Sequence, residues 1–274
     1  MNAAPESPFL HPDERPAAHV LNAQGASPIV LVCEHASRFI PAALGNLGLD
    51  EAAAQSHVAW DIGALDLATQ LATSLDAPLV ASRISRLVYD CNRPPEAPGA
   101  IPPQSERFAI PGNTDLSQAQ KAARAETVYY PFRALLGQML DQHPTPPVLV
   151  TIHSFTPVFH GEARSVELGI LHDDDDRTAR ALLAAAQTQT PLHTALNQPY
   201  SASDGVTHTL RDQAGRRGLA NVMIEIRNDL IDTPAGVTRI AGLLGPILRD
   251  VAHTNSGSDR DDKAMMATRT GSAT

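Results

Sequence analysis

Five short polar cassettes hold the side chains that could do chemistry: Cys33-Glu34-His35-Ala36-Ser37, Trp60-Asp61, the run from Arg86 through Asp90 to Asn92-Arg93, Thr151-Ile152-His153-Ser154, and Glu225-Ile226-Arg227. Four of them abut apolar, strand-like runs, as in a site assembled at strand ends. His35 and His153 follow Ile29-Val30-Leu31-Val32 and Val148-Leu149-Val150-Thr151-Ile152, so each emerges at the carboxyl end of a central strand. Two imidazoles and a carboxylate suit a catalytic zinc ion, which takes about three protein ligands and keeps one position for water. Asp61 and Glu34 compete for the third place. Glu34 and His35 point to opposite sides of a period-two strand, whereas Asp61 opens a helix and leans over the strand ends, which favours Asp61. Against this stands the reading of His35 and His153 as strand-end residues bonded to backbone carbonyls. The same donors would accept other divalent ions.

Arg86, Asn92 and Arg93 suit anion recognition: a guanidinium meets a carboxylate through two parallel hydrogen bonds, an amide adds a third, and Asp90 can hold one arginine rigid. The competing reading is a surface salt-bridge network. Glu225 ends an apolar run. If it shares a face with Met223 and Arg227, desolvation raises its pKa towards that of a general base for metal-bound water; otherwise it is a structural partner of Arg227. Ser37 and Ser154 lack the Gly-x-Ser-x-Gly elbow of a serine hydrolase. Cys33 still belongs to a buried strand. The run Asp173-Asp174-Asp175-Asp176 reads as a helix N-cap, His57 as a capping or surface residue, and His208 as a loop residue near a pocket.

Apolar runs over 28–32, 78–84, 147–153, 166–171 and 219–226 predict five strands. Helical spacing predicts helices over 62–75, 177–189 and 234–251, and another over 118–142 interrupted by Pro131. Strands alternating with helices make an α/β domain. The chain's 274 residues, 43% of them hydrophobic, suffice for one large core. Its boundaries fall at 27–252, between a Pro- and Ala-rich segment over 1–26 that reads as flexible and a Ser-, Gly- and Asp-rich tail over 253–274 that reads as disordered. A net charge of −9 argues against nucleic acid or an anionic membrane as partner. No stretch reads as an export signal or a bilayer span. Two cysteines, Cys33 and Cys91, suit the reducing cytoplasm. The Pro-rich loop over 93–103 is a candidate lid.

Taken together, Glu34-His35-Ala36-Ser37 with Ile40-Pro41, Trp60-Asp61, Arg86 with Asp90-Cys91-Asn92-Arg93-Pro94, His153-Ser154-Phe155, Glu167-Leu168-Gly169-Ile170-Leu171 and Glu225-Ile226-Arg227 resemble the N-formylglutamate amidohydrolase family over roughly residues 29–248. The resemblance implies a single-domain mixed β-sheet flanked by helices, similar to the zinc carboxypeptidase (phosphorylase/hydrolase-like) fold of carboxypeptidases and aspartoacylases. It also implies one catalytic zinc. His35 and His153 are then similar to the first and last zinc ligands, Glu225 to the base, Arg86 to the carbonyl-polarising arginine, and Asn92-Arg93 to the pair that holds a substrate carboxylate. That wider group has its middle ligand three residues after the first histidine. Here that place is Arg38, which leaves Asp61, or Glu34, to fill it.

The implied reaction is zinc-dependent hydrolysis of an N-acyl amino acid, foremost N-formyl-L-glutamate to formate and glutamate. The alternatives are another N-acyl or carboxylate-bearing substrate, or a non-catalytic carboxylate-binding protein on the same fold. The expected partner is a small anionic N-acyl amino acid. Arg227 and Arg211 are candidates for a second anion site, and Ser37 for a further substrate contact.

Overall fold

The computed structural model describes residues 9–270, with side chains described for 9–254. Seven strands form one sheet: β1 (Ala18–Leu21), β2 (Ile29–Cys33), β3 (Leu79–Ser82), β4 (Val148–Phe155), β5 (Leu168–Leu171), β6 (Thr194–Leu196) and β7 (Asn221–Arg227). Their order across the sheet is β1-β3-β2-β4-β7-β5-β6. Strands β3, β2, β4 and β7 run parallel, β1 is antiparallel to β3, and β7 is antiparallel to β5. The five expected strands are all present. Every residue of β2 and β4 is buried, because both faces of these central strands are covered.

One face packs on α2 (Ala64–Leu75), α5 (Arg177–Gln189) and α6 (Pro234–Thr270). Leu67, Leu71 and Leu75 of α2 recur at helical spacing and are buried there together with Ile29, Leu31, Val150 and Ile152. Each such side chain contributes about 1.5–3 kcal/mol by leaving water. The other face, with Val30, Val32, Leu149 and Met223, lies under α4 (Tyr130–Asp141), where Phe132, Leu136 and Leu140 are buried. Two further helices are short, α1 (Glu51–Gln55) and α3 (Gln118–Arg124). Pro131 falls at the start of α4, and a single π turn, Ala125–Tyr129, joins α3 to it, so the missing amide donor is absorbed without ending the helical path.

Four expectations need correction. Within the segment expected to be flexible, β1 pairs with β3 from Ala18↔Ser82 to Leu21↔Leu79, and Leu10, Ala17 and Ala18 are buried; averaged composition hides a four-residue edge strand. Residues 1–8 lie outside the described residues. Strand β6, only three residues long, is too short to show a period. The helix expected to open at residue 62 starts at Ala64, because Gly63 has φ +76° and a Cβ there would meet Ile231 O at 2.2 Å. Asp61 thus lies in the turn before α2. Finally, the closing helix, expected over 234–251, extends as backbone to Thr270; its buried face is described as far as Val251 and Ala252. Among the described residues no helix is long and apolar enough to cross a membrane.

Leu244 of α6 is fully buried on the sheet face away from His153. Leu244→Ala should cost about 2–5 kcal/mol of unfolding free energy. Denaturant melts would show the loss, with turnover per folded molecule unchanged.

Candidate metal centre

Strand alternation sets the first side chains of the site. In β4, Val148, Val150 and Ile152 face the α2 layer, so Leu149, Thr151 and His153 face the opposite way. The parallel register Glu225↔His153 places Glu225 of β7 beside His153 of β4. On the far side of β7, Glu225 lies opposite Gly169, where a Cβ would meet Gln198 O at 2.0 Å. Only a glycine lets these backbones approach so closely.

His35 follows the end of β2, and its carbonyl accepts the backbone N–H of Asp61 at 2.9 Å, which ties the Trp60-Asp61 turn to the strand end. Three donors then converge. His153 Nδ1 lies 2.9 Å from Asp61 Oδ2, His35 Nδ1 lies 3.2 Å from the same oxygen, and the two Nδ1 atoms are 3.2 Å apart. Each ring has a carboxylate at its outer nitrogen. His35 Nε2 is 2.7 Å from Asp90 Oδ1, and His153 Nε2 is 3.1 Å from Glu34 Oε2, at ion-pair distance but off the hydrogen-bond axis. Without a metal, burial is outweighed by the surrounding carboxylates, which raise the pKa of both rings; in the tautomer that carries the proton on Nε2, the inner nitrogens present lone pairs to each other and to a carboxylate oxygen. A cation at their centre removes that repulsion. Ligand bonds of about 2.0–2.2 Å at a tetrahedral angle place neighbouring donors about 3.3–3.6 Å apart, so the triangle is slightly tighter than one face of a zinc site. His35, Asp61 and His153 fit the metal, and the outer carboxylates would fix ring orientation as metal-ligating histidines require.

This arrangement puts Glu34 behind His153 instead of in the cluster. Arg86 closes the other side, with Nη1 donating to Asp61 Oδ1 at 3.2 Å and Nη2 to Asp90 Oδ2 at 3.1 Å. Burial pushes the Asp61 carboxyl up, but His35, His153 and Arg86 outweigh it and hold the group well below the usual range. Glu225 behaves oppositely. Burial raises its carboxyl to about 7, with Asp61 adding to the rise, and its Oε2 is buried with no hydrogen-bond partner among the described residues.

A cavity of about 320 Å³ opens on this cluster, and His35, Asp61, Arg86, Asn92, Arg93, His153 and Glu225 all line it. Arg93 Nη1 is shielded from solvent without a partner, flanked by Gly205, where a Cβ would come within 3.1 Å of it. Asn92 reaches the wall in a different role from the one expected. Its Nδ2 donates to Val206 O and its Oδ1 accepts the Thr209 N–H at 2.9 Å, so the amide fastens the 206–209 segment.

Three predicted contacts, Arg227, Arg211 and Ser37, are absent from the cavity, and Arg211 borders a separate cleft with Arg177 and Arg216. Arg227 donates to Asp229 at 2.8 Å, to Arg164 O at 3.2 Å and to Glu167 at 3.4 Å, and is fully engaged away from the cluster. Ser37 Oγ accepts the Phe39 N–H at 3.0 Å and borders a separate cleft, because the chain turns away after His35. His208 is bound to Tyr129 Oη at 2.8 Å, also outside. The Pro-rich loop is pinned through the Asp90 N–H donating to Ala100 O at 2.8 Å and buries Ala100 and Ile101. The cavity mouth is bordered instead by two small ribbons, Gln104–Ser105 with Phe108–Ala109 and Val158–Phe159 with Glu162–Ala163. Glu106, Phe159 and Tyr200 thus join the wall, and His57 proves to be a wall residue; nothing in their local sequence marks them.

Fold and cluster together define an α/β protein with a buried His-Asp-His centre and an adjacent carboxylate at the carboxyl edge of a mixed sheet. The chain belongs to the N-formylglutamate amidohydrolase family, whose model matches residues 27–232. Among solved structures, the gene product Atu2144 of Agrobacterium tumefaciens is 48% identical with a TM-score of 0.85, over 89% of this chain and 99% of that one. An N-formylglutamate amidohydrolase from Ralstonia eutropha JMP134 shares the fold at 16% identity and a TM-score of 0.59, over 86% of this chain and 97% of its own. No curated protein matches the sequence.

His35→Ala should leave the purified protein without stoichiometric metal by elemental analysis. Asp90→Asn, which removes the charge behind His35 and one of the two acceptors that serve His35 and Arg86, should weaken metal affinity by about 10–100-fold in a chelator competition titration.

Proposed function

We propose that this protein hydrolyses the amide bond of an N-acyl amino acid at a metal held by His35, Asp61 and His153, zinc being the ion that the donor set and spacing suit. The convergence of two imidazole lone pairs and a carboxylate oxygen within 3.2 Å carries the reading. When bound there, zinc supplies a Lewis acid that polarises the scissile carbonyl and lowers the pKa of water to about 7.

The chain's own groups do the rest. Glu225, unpartnered and poised near neutrality, takes a proton from the attacking water as its oxygen bonds to the acyl carbon, then delivers it to the amine nitrogen as the carbon–nitrogen bond breaks. Arg86 is held by Asp61 and Asp90, so its remaining N–H groups are oriented before substrate arrives and can stabilise the tetrahedral oxyanion. Arg93 offers an unpartnered N–H to the substrate α-carboxylate. Asn92 supports that contact indirectly, by fixing the segment that walls in Arg93. The family's namesake, N-formyl-L-glutamate, is the reference substrate for this activity, and a small anionic acyl amino acid is the class the cavity's size and positive groups suit.

The deciding assay is release of free amino acid from N-formyl amino acids, with activity lost on chelation and restored by zinc. Persistent activity in metal-free protein would refute the mechanism. Glu225→Gln should lower kcat by about 10²–10⁴-fold while metal content and Tm are retained. Because a base works unprotonated, kcat/KM should rise as pH rises through the Glu225 pKa, at about 7 and lower with a cation beside it. That acid limb should disappear in Glu225→Gln.

A further inference from the structure

N-formyl-glutamate carries two carboxylates, and the cavity treats its two ends differently. Among the described residues lining it, Arg86 and Arg93 are the arginines. Arg86 is spent on Asp61 and Asp90, whereas Arg93 keeps a free donor. One carboxylate is thereby provided for. The rest of the wall includes Phe155, Phe159, Tyr200 and Val206, uncharged polar side chains such as Ser105, Ser154 and Thr156, and two acids, Glu106 and the exposed Asp204.

Neither acid is neutralised by a free cation. Glu106 Oε2 lies 3.1 Å from His57 Nε2 and its Oε1 accepts the His160 N–H at 3.4 Å; burial pushes the His57 ring below its usual value, so it is uncharged at neutral pH. Asp204 accepts the Ser201 N–H at 2.8 Å. A further cation, Arg164, packs against the aromatic wall. Its guanidinium carbon lies 5.6, 4.5 and 4.9 Å from the ring centroids of Phe155, Phe159 and Tyr200, and Nη1 donates to Tyr200 Oη at 3.1 Å. Arg164 thus stiffens three rings by cation–π contact. A second carboxylate in this part of the cavity would exchange water for aromatic carbon and two like charges, an exchange that disfavours the ionised form.

We infer that the preferred substrate is an N-acyl amino acid with an uncharged side chain, aromatic or otherwise apolar, seated against Phe155, Phe159, Tyr200 and Val206 while its α-carboxylate meets Arg93. The inference rests on the reading of the site as that of an N-acyl amino acid hydrolase. It makes the three rings and Glu106 specificity determinants.

The test compares N-formyl-L-glutamine with N-formyl-L-glutamate, which differ by one charge at nearly constant shape, alongside N-formyl-L-phenylalanine. The zinc-loaded protein is assayed for kcat/KM, and zinc-loaded Glu225→Gln for Kd by calorimetry. Glutamine should exceed glutamate by at least about 10-fold, and phenylalanine by about 100-fold. In Glu106→Gln the gap between glutamine and glutamate should narrow. Equal or better turnover or binding of the glutamate compound overturns the inference and leaves the hydrolase reading intact. A loss of that glutamate preference in Arg164→Gln would then identify Arg164 as a second carboxylate site. Neither turnover nor binding of any of the three overturns both.

Discussion

Two imidazole nitrogens and a carboxylate oxygen meet in the buried floor of the cavity, and the surrounding architecture answers that electrostatic problem. Glu34 and Asp90 stand behind the rings, Arg86 bridges Asp61 to Asp90, and the backbone of Asp61 hangs from the carbonyl of His35. Buried charges are tolerated only when paired and bonded, so these contacts form one network in which each group's orientation depends on the others. The same field acts in two directions. It holds Asp61 ionised, whereas at Glu225 burial, with a smaller contribution from Asp61, outweighs the pull of His153, His35 and Arg86 and raises the carboxyl to about 7. In the proposed mechanism, placement makes one carboxylate a ligand and the other a proton carrier.

Much of this was legible in the sequence because buried parallel strands are long apolar runs, and polar residues at their ends stand out. His35, His153 and Glu225 are visible on that ground. Asp61 follows from the need for a third donor outside strand periodicity, although Gly63 shifts it from a helix start to the turn before one. Less legible was anything set by contact across the chain. Arg227 has the right charge and a neighbouring position, yet Asp229 and Glu167 capture it. Ser37 lies two residues from a ligand, and a change of chain direction carries it to another surface.

Asn92 illustrates a subtler limit. Residue type and spacing point to a ligand contact, whereas its amide is consumed by backbone groups more than a hundred residues away. Its effect on the site passes through the loop it fastens. The walls of the cavity come from short ribbons and turns that carry no periodic signal, so side-chain discrimination is written where sequence patterning is weakest. Edge strands such as β1 and β6 escape for a related reason: a strand of three or four residues completes barely two alternations.

The sheet order has a consequence for how the molecule comes into being. Strand β7 is the last to leave the ribosome, yet it occupies the space between β4 and β5. Until it arrives, two interior strands present unpaired backbone edges, and the polypeptide already synthesised is a sheet split down the middle. Docking of β7 heals that seam and delivers Glu225 beside His153 in one event. A chain that ends before β7 lacks both the strand that joins the two halves of the sheet and the carboxylate of Glu225.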